Sequence, residues 1–220
     1  CKSIDKESEK YLLKLGSNKS YETSSVIIQK GLVIKKSFNE LVSSDKPVIN
    51  IRSGADEGMV DIFNVDRLML DKSSLDVMEK IINDRFINNF LSSSSQKMKI
   101  ENVNFYANSG ITSTRGFHTD SFSKHIKIFI YLTDVLSFDN GPYTFVKGSH
   151  LDTPYRRINR LISKALKAET ESPIVPFENV YPVLAPKGSL VISDQSGFHR
   201  GFPQKTDGSR RALVINCICI

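Results

Sequence analysis

Two histidines and one aspartate are the residues of this sequence best suited to hold a metal ion. His118 and Asp120 are two positions apart, and on a strand this spacing directs both side chains to the same face. His199 follows much later, after a predicted strand, and is a candidate third ligand from a facing sheet. Two histidines and one carboxylate form the facial triad of non-haem Fe(II) oxygenases, which leaves coordination positions open. The pattern predicts an iron site, although the His-x-Asp triplet alone is a weak signal.

An iron centre of this kind needs an electron source, and 2-oxoglutarate can bind it through the keto oxygen and the adjacent carboxylate, leaving one position for dioxygen. The far carboxylate of 2-oxoglutarate then requires a cation. Arg210 and Arg211 are the candidates, because they begin the last predicted strand and arginine suits a planar, two-point contact with a carboxylate. Residue alternation favours Arg210, since Ala212 and Val214 on its face are small and leave room for a cosubstrate.

Other polar residues could line the same pocket. Tyr131 and Thr133 share one face of a predicted strand and are candidate 2-oxoglutarate contacts, and Asn104 is a further candidate. For all three, an outward, packed face is the competing interpretation. His150 is interpreted as part of a structural turn, and His125 as a surface or packing residue.

Short apolar runs separated by turn residues fill the chain from residue 98 onward. The runs lie at 100–107, 125–132, 143–146, 181–184, 189–193 and 210–220. Asn140-Gly141-Pro142, Pro186-Lys187-Gly188 and Asp207-Gly208 mark the turns between them. Short strands with tight turns predict an antiparallel sandwich or barrel.

The first third of the chain mixes helical and strand patterns. Helices are predicted at 4–15 and 38–42, and a strand at 31–34. A longer helix is predicted to begin near Ser73, whose hydroxyl would cap it together with Asp76. Its apolar residues recur at helical spacing: Leu75, Met78, Ile82, Phe86 and Phe90.

A helical segment at 153–169 interrupts the strands. One side is apolar, with Tyr155, Ile158, Leu161, Ile162 and Leu166, and the other is basic, with Arg156, Arg157, Arg160, Lys164 and Lys167. A solvated face is the simpler interpretation of the basic side. The alternative is a lid whose arginines orient an anionic substrate, and Arg115 and Phe122 would then border the same opening.

Composition excludes several classes of protein. Hydrophobic residues are 40% and charged residues 25% of the 220 positions, as in globular domains, and no apolar run approaches the ~20 residues needed to cross a membrane. The net charge of +6 is scattered, so it suits a small anionic molecule better than a nucleic acid. The three cysteines, Cys1, Cys217 and Cys219, suggest a reducing, cytoplasmic compartment; a lipidated Cys1 or a C-terminal prenylation box is less favoured.

Taken together, the motifs resemble the phytanoyl-CoA dioxygenase-like family of Fe(II)/2-oxoglutarate-dependent oxygenases. The similar segments lie at 29–34, 117–122, 128–134, 139–142, 146–150, 187–191, 199–201 and 208–213. The resemblance implies a mainly β fold with flanking helices, a double-stranded β-helix (jelly roll, cupin-like). It implies iron held by His118, Asp120 and His199, with 2-oxoglutarate anchored by Arg210. We therefore expect one domain over 1–220, with a helix-rich flank and outer strands at 1–97 and a jelly-roll core at 98–220 that contains a helical insert at 151–180.

The family implies hydroxylation of an unactivated C–H bond of a small molecule, with release of succinate and CO2. Halogenation is disfavoured, because related halogenases have a small residue where this chain has Asp120. A desaturase, epimerase or cyclase would share every residue named above, and a metal-free jelly-roll binding module is the alternative from another class. The resemblance does not extend to 151–182, so it implies neither the substrate nor the oligomeric state.

Overall fold

The computed structural model describes residues 20–22, 27–30, 43–54, 56–85, 87, 89, 98–166 and 171–219. Its strands are β1 (Ser20–Glu22), β2 (Ile27–Lys30), β3 (Val48–Ile51), β4 (Val60–Phe63), β5 (Met98–Ser109), β6 (Ile126–Tyr131), β7 (Tyr143–Val146), β8 (Val180–Pro182), β9 (Leu190–Asp194), β10 (His199–Gly201) and β11 (Ser209–Cys219). Its helices are α1 (Val65–Leu68), α2 (Lys72–Asn83) and α3 (Pro154–Leu166). The helices predicted at 4–15 and 38–42 and the strand at 31–34 lie outside the described residues, and none of the described helices could span a membrane.

The chain divides into two compact units, at positions 107/108 inside β5 and 212/213 inside β11. In the first unit the strand order is β1-β2-β3-β4-β5-β11. β2 and β3 pair in parallel, whereas β1–β2, β3–β4 and β4–β5 are antiparallel. In the second unit β11, β6 and β9 are neighbours, and a second sheet has the order β10-β7-β8.

The first unit buries apolar and polar residues on alternating positions of the same strand. In β5, Val103 and Phe105 are buried, and so are Asn102 and Asn104, which alternate with them along the strand. The Asn102 amide donates to the Asn64 side-chain oxygen at 2.9 Å and to Asn104 Oδ1 at 3.1 Å, and it accepts from Asn216 Nδ2 at 2.7 Å. Buried polar groups need such partners because unpaired ones cost free energy. The apolar-run pattern predicted the strand and missed this asparagine network.

Helix α2 begins two residues earlier than the sequence predicted. Asp71, not Ser73, is the N-cap residue, and its carboxylate accepts a hydrogen bond from the Ser74 backbone N–H at 2.8 Å. The prediction was wrong because serine and aspartate both suit an N-cap position, and the helix begins at Lys72, directly after Asp71. Met78 and Ile82 are buried as expected, while Phe86 and Phe90 lie outside the described residues.

The strands of the second unit follow the predicted runs closely. β6 pairs antiparallel with β9, from Ile126 opposite Asp194 to Ile130 opposite Leu190. β7 spans the predicted residues 143–146 and pairs with both β8 and β10. β10 is only three residues long and lies outside the predicted apolar runs.

Helix α3 does not bury its apolar stripe. Tyr155, Ile158 and Leu161 are 40%, 43% and 68% exposed, whereas Asn159 and Ser163 are buried. The Asn159 amide bonds both the N–H and the C=O of Ile174, and the Ser163 hydroxyl donates to the Glu171 carbonyl at 2.8 Å. The helix therefore docks through polar groups on the irregular segment that follows it.

Two glycines in left-handed conformation provide a matched test of packing. Gly141 has φ +66°, and a Cβ there would lie 2.4 Å from Gln204 Cγ and 2.7 Å from the Phe202 carbonyl oxygen. Gly148 has φ +75° with open space around it. Gly148→Ala is expected to cost about 1–2 kcal/mol of unfolding free energy, from the conformation alone, and Gly141→Ala a further ~1–3 kcal/mol from the clash. Urea unfolding measures both, and equal losses would contradict the close approach at Gly141.

Candidate metal centre

His118, Asp120 and His199 converge in the second unit. One donor atom from each residue lies within 4.8 Å of the donors of the other two. The rings of the two histidines are 4.6 Å apart between centroids, and His199 Nε2 is 3.5 Å from Asp120 Oδ1. The predicted ligand set is thus brought together by two stretches of chain that are far apart in sequence.

Main-chain hydrogen bonds hold the two histidines side by side. His118 N–H donates to the His199 carbonyl at 3.0 Å, and His199 N–H donates to the His118 carbonyl at 2.9 Å. Asp120 N–H donates to the Gln195 carbonyl at 3.0 Å. β10 is in turn paired with β7, where His199 lies opposite Phe145. The positions of all three side chains are therefore set by backbone pairing.

Both imidazole rings are oriented in the same way. His118 Nδ1 lies 2.9 Å from the Gly116 carbonyl, and His199 Nδ1 lies 3.0 Å from the Gly197 carbonyl, each two residues earlier in the chain. A carbonyl only accepts, so Nδ1 carries the proton and Nε2 keeps its lone pair. Metal-binding histidines are commonly oriented by such bonds. The donor set, the Nε2 atoms of two histidines and one carboxylate, fits a divalent transition metal.

The charge states of the ligands also suit a cation. Burial lowers the pKa of His118 well below its ordinary value, and the nearby His199 and Arg115 lower it further, so the imidazole is neutral near pH 7. Burial raises the pKa of Asp120, but the Lys127 ammonium, His199 and His118 outweigh burial, and the net pKa is well below the ordinary value. Asp120 is therefore a carboxylate over the physiological pH range.

Arg210 and Arg211 point to opposite sides of β11. Arg210 is buried and donates to the Gly141 carbonyl, whereas Arg211 is exposed and its backbone N–H donates to Thr133 Oγ1 at 3.0 Å.

Tyr131 is 1% exposed, and its hydroxyl donates to the Val183 carbonyl at 3.2 Å. Burial raises the pKa of Tyr131 and the nearby Arg210 partly offsets it, so this phenol is neutral and close to the buried guanidinium.

The remaining predicted pocket residues have partners within the chain. Asn104 belongs to the first unit, where its Oδ1 accepts from the Asn64 backbone N–H at 3.2 Å. Arg115 forms an ion pair with Glu171. Phe122 is half-buried, and the guanidinium of Arg160 lies over its ring, 5.7 Å from the ring centroid. The predicted roles of these residues in ligand binding stay predictions.

The basic side of α3 is not an isolated cluster of cations. Arg156 donates to the backbone carbonyls of Phe122 at 2.7 Å, of Ser149 at 3.3 Å and of Ser196. Arg157 instead pairs with the exposed Asp152 at 2.6 Å. Arg156 thus ties the helix to the loop after Asp120 and to the turn before His199, which a solvated face would not do.

Sequence reasoning missed four polar residues around the centre. Lys127 Nζ lies 2.5 Å from Asp120 Oδ2. Tyr143, whose ring centroid is 5.7 Å from that of His199, shares hydrogen bonds with Ser193 at 2.7 Å and Gln195 at 3.0 Å. Burial raises the pKa of the Tyr143 phenol, so it stays protonated. The signal for Lys127 was present: it is a lysine inside an apolar strand, on the same face as Phe129 and Tyr131.

Comparison with known proteins agrees with this geometry. The sequence model of a family described as phytanoyl-CoA dioxygenase (PhyH) matches residues 64–212. Comparison with curated proteins gives no match. The fold class predicted from the sequence, mainly β of the double-stranded β-helix type, is confirmed by the antiparallel strands and the family match.

Solved structures with a similar fold are distant in sequence. HygX from Streptomyces hygroscopicus, with nickel and 2-oxoglutarate bound, is 15% identical with a TM-score of 0.52, covering 83% of this chain and 76% of HygX. The non-haem 2-oxoglutarate-dependent (alpha ketoglutarate dependent) epimerase SnoN from nogalamycin biosynthesis is 17% identical with a TM-score of 0.50, covering 82% of this chain and 69% of SnoN. EvdMO1 is 18% identical with a TM-score of 0.51, covering 71% of this chain and 34% of EvdMO1.

The contrast between Arg156 and Arg157 provides a test of the insert. Arg156→Gln removes charge-assisted bonds to three carbonyls, so backbone amides of residues 154–166 should exchange with solvent about 10-fold faster or more, since such bonds are worth roughly 1.5–3 kcal/mol each. Arg157→Gln removes only an exposed ion pair and should leave exchange unchanged. Hydrogen–deuterium exchange measures both variants, and equal protection in the two would mean that Arg156 does not fasten α3.

Proposed function

Because this chain belongs to the phytanoyl-CoA dioxygenase family, we propose that it is an Fe(II)- and 2-oxoglutarate-dependent oxygenase that hydroxylates an unactivated C–H bond of a small molecule. The products from the cosubstrate are succinate and CO2. The observation that carries the proposal is the convergence of His118, Asp120 and His199, with Nδ1 of each histidine bonded to a backbone carbonyl, which leaves Nε2 as the nitrogen available to a metal.

The three side chains are proposed to hold the metal. Two neutral imidazoles and one carboxylate carry a total charge of −1, which attracts a divalent cation and leaves the centre able to accept the anionic 2-oxoglutarate. When bound, iron with 2-oxoglutarate and dioxygen supplies the oxidising power that protein side chains lack. The protein's own contribution is to orient these groups and to keep water away from them.

Arg210 is the proposed partner of the far carboxylate of 2-oxoglutarate. Its guanidinium is buried, is bonded on one side to the Gly141 carbonyl, and lies close to Tyr131. A buried guanidinium in a fixed orientation loses little side-chain freedom on binding a carboxylate. Thr133 and Asn104 stay candidate contacts of the cosubstrate.

The helical insert is the proposed cover of the substrate opening. Arg156 fastens α3 to Phe122 and Ser196, which come two and three residues from metal ligands in sequence. If the substrate is anionic, Arg160 is a better candidate for its charge than Arg156 or Arg157, because those two bond backbone carbonyls and Asp152. Arg115 is a further candidate at the same opening. Desaturation, epimerisation and cyclisation would use the same residues, and product analysis separates these outcomes from hydroxylation.

Anaerobic titration with Fe(II) and then 2-oxoglutarate tests the proposed function. The wild-type protein should develop the weak visible metal-to-ligand charge-transfer band and, in air with substrate candidates, release succinate. Asp120→Ala removes a metal ligand and should lose both signals. Asp134→Ala, at an exposed turn, is the matched control and should keep them. A wild-type protein that binds neither Fe(II) nor 2-oxoglutarate would instead be a metal-free binding module.

Substitution of the two neighbouring arginines tests the cosubstrate site. Arg210→Ala leaves the far carboxylate without its partner, which for a buried charge pair costs ~2–5 kcal/mol, so the Kd of 2-oxoglutarate should rise more than tenfold. Arg211→Ala changes an exposed side chain on the other side of β11 and should have little effect. Titration of 2-oxoglutarate into the Ni(II)-loaded variants measures both. The reverse ranking would assign the cosubstrate contact to Arg211.

A further inference from the structure

A lysine is buried directly behind the carboxylate of the candidate metal centre. Lys127 Nζ lies 2.5 Å from Asp120 Oδ2, while the other oxygen, Oδ1, lies 3.5 Å from His199 Nε2. We propose that Lys127 is a positioning residue: it holds Oδ2, so that Oδ1 alone is directed at the metal. The inference rests on the proposed function, because it assigns a role to Lys127 within that same centre.

The side chain of Lys127 is largely buried in the fold. Lys127 is the second residue of β6, opposite Ser193 of β9, and its side chain is 10% exposed against 30% for Asp120. Its strand neighbours Ile126 and Ile128 are buried on the other face. Lysine is almost never buried unless it is paired, and Asp120 is the carboxylate it contacts.

Stability alone does not account for this lysine. A buried ion pair is weak evidence for stability, because the cost of removing both charges from water offsets most of their attraction, and an apolar pair often serves as well. Here, however, the carboxylate has a second task at its other oxygen. Carboxylate ligands of metals are themselves commonly hydrogen-bonded, and loss of such a bond weakens metal binding.

The proposed arrangement limits Asp120 to one donor oxygen. A carboxylate free to rotate can place both oxygens on a metal, as happens at calcium sites, and would then occupy a position that 2-oxoglutarate needs. With Oδ2 held by Lys127, only Oδ1 is presented beside the two imidazoles. Lys127 thereby preserves the open positions of the centre.

The sign of the effect on metal affinity separates positioning from simple electrostatics. By Coulomb's law, removing a cation near a divalent metal site should tighten metal binding. Loss of an orienting partner should weaken it, typically by about 10- to 100-fold. A variant without the lysine therefore gives opposite results under the two explanations.

The experiment titrates Co(II) alone into metal-free protein and records affinity and visible spectrum. Lys127→Met, which keeps the chain length and removes the ammonium, should bind Co(II) about 10- to 100-fold more weakly with an altered spectrum, because the spectrum reports coordination geometry. Lys127→Arg, which keeps a charged donor, should recover most of the affinity. Lys187→Met, an equal charge change at an exposed turn, should behave as wild type. Unchanged or tighter binding by Lys127→Met would overturn the proposal.

Thermal melting of each metal-free variant checks folding. If Lys127→Met does not fold, Lys127→Gln, which removes the charge but keeps a neutral donor to Oδ2, is used instead: Co(II) binding close to that of the wild type supports positioning, and tighter binding overturns it. Failure of the proposed function is distinguishable, since it would appear as absent 2-oxoglutarate turnover in the wild type. Failure of the present inference would appear as Co(II) binding by Lys127→Met equal to that of Lys187→Met, whatever the turnover.

Discussion

The centre depends on a reciprocal pair of main-chain hydrogen bonds between His118 and His199. These bonds fix two Cα positions against each other, and the carbonyls of Gly116 and Gly197 then fix the two rings. Both rings are thus oriented by main-chain groups of their own short segments. Because backbone groups carry no rotamer freedom, little conformational entropy is lost when a metal binds. The pairing of β7 with β10 and of β6 with β9 forms a frame that keeps these two segments adjacent.

Around that frame the second unit buries several polar side chains that have specific partners. Lys127 meets Asp120, Tyr143 meets Ser193 and Gln195, and Arg210 meets the Gly141 carbonyl. Each buried polar group is costly when unpaired, so each contact excludes alternative side-chain arrangements. The consequence is a preorganised site: charges and donors stand in place before any ligand arrives, and binding energy is not used to assemble them.

The faces of the strands could be predicted from alternation in the sequence. The side-chain contacts between residues distant in the chain could not. The strands later found as β5, β6, β7, β9 and β11 follow from the apolar runs, and the shared face of His118 and Asp120 and the buried side of Arg210 follow from alternation. The convergence of His199 with the other two was implied by the family resemblance, not by spacing. β10 was missed because three residues show no periodicity. The partners of Arg156 are backbone carbonyls, which have no residue-type signature, and the buried face of α3 is polar, which reverses the rule used to orient helices.

Gly141 affects both the packing of its turn and the position of the Arg210 guanidinium. Its left-handed conformation and lack of a side chain let the turn approach Gln204, while its carbonyl holds the guanidinium of Arg210. A substitution there would shift the turn and the arginine together. If Arg210 binds the cosubstrate as proposed, directed evolution of cosubstrate preference would meet a trade-off at this position, in which changes in binding come with losses in tolerance to heat. Compensating changes would have to be sought at the side chain of Gln204, because the Phe202 carbonyl oxygen belongs to the main chain and stays whatever residue is placed there.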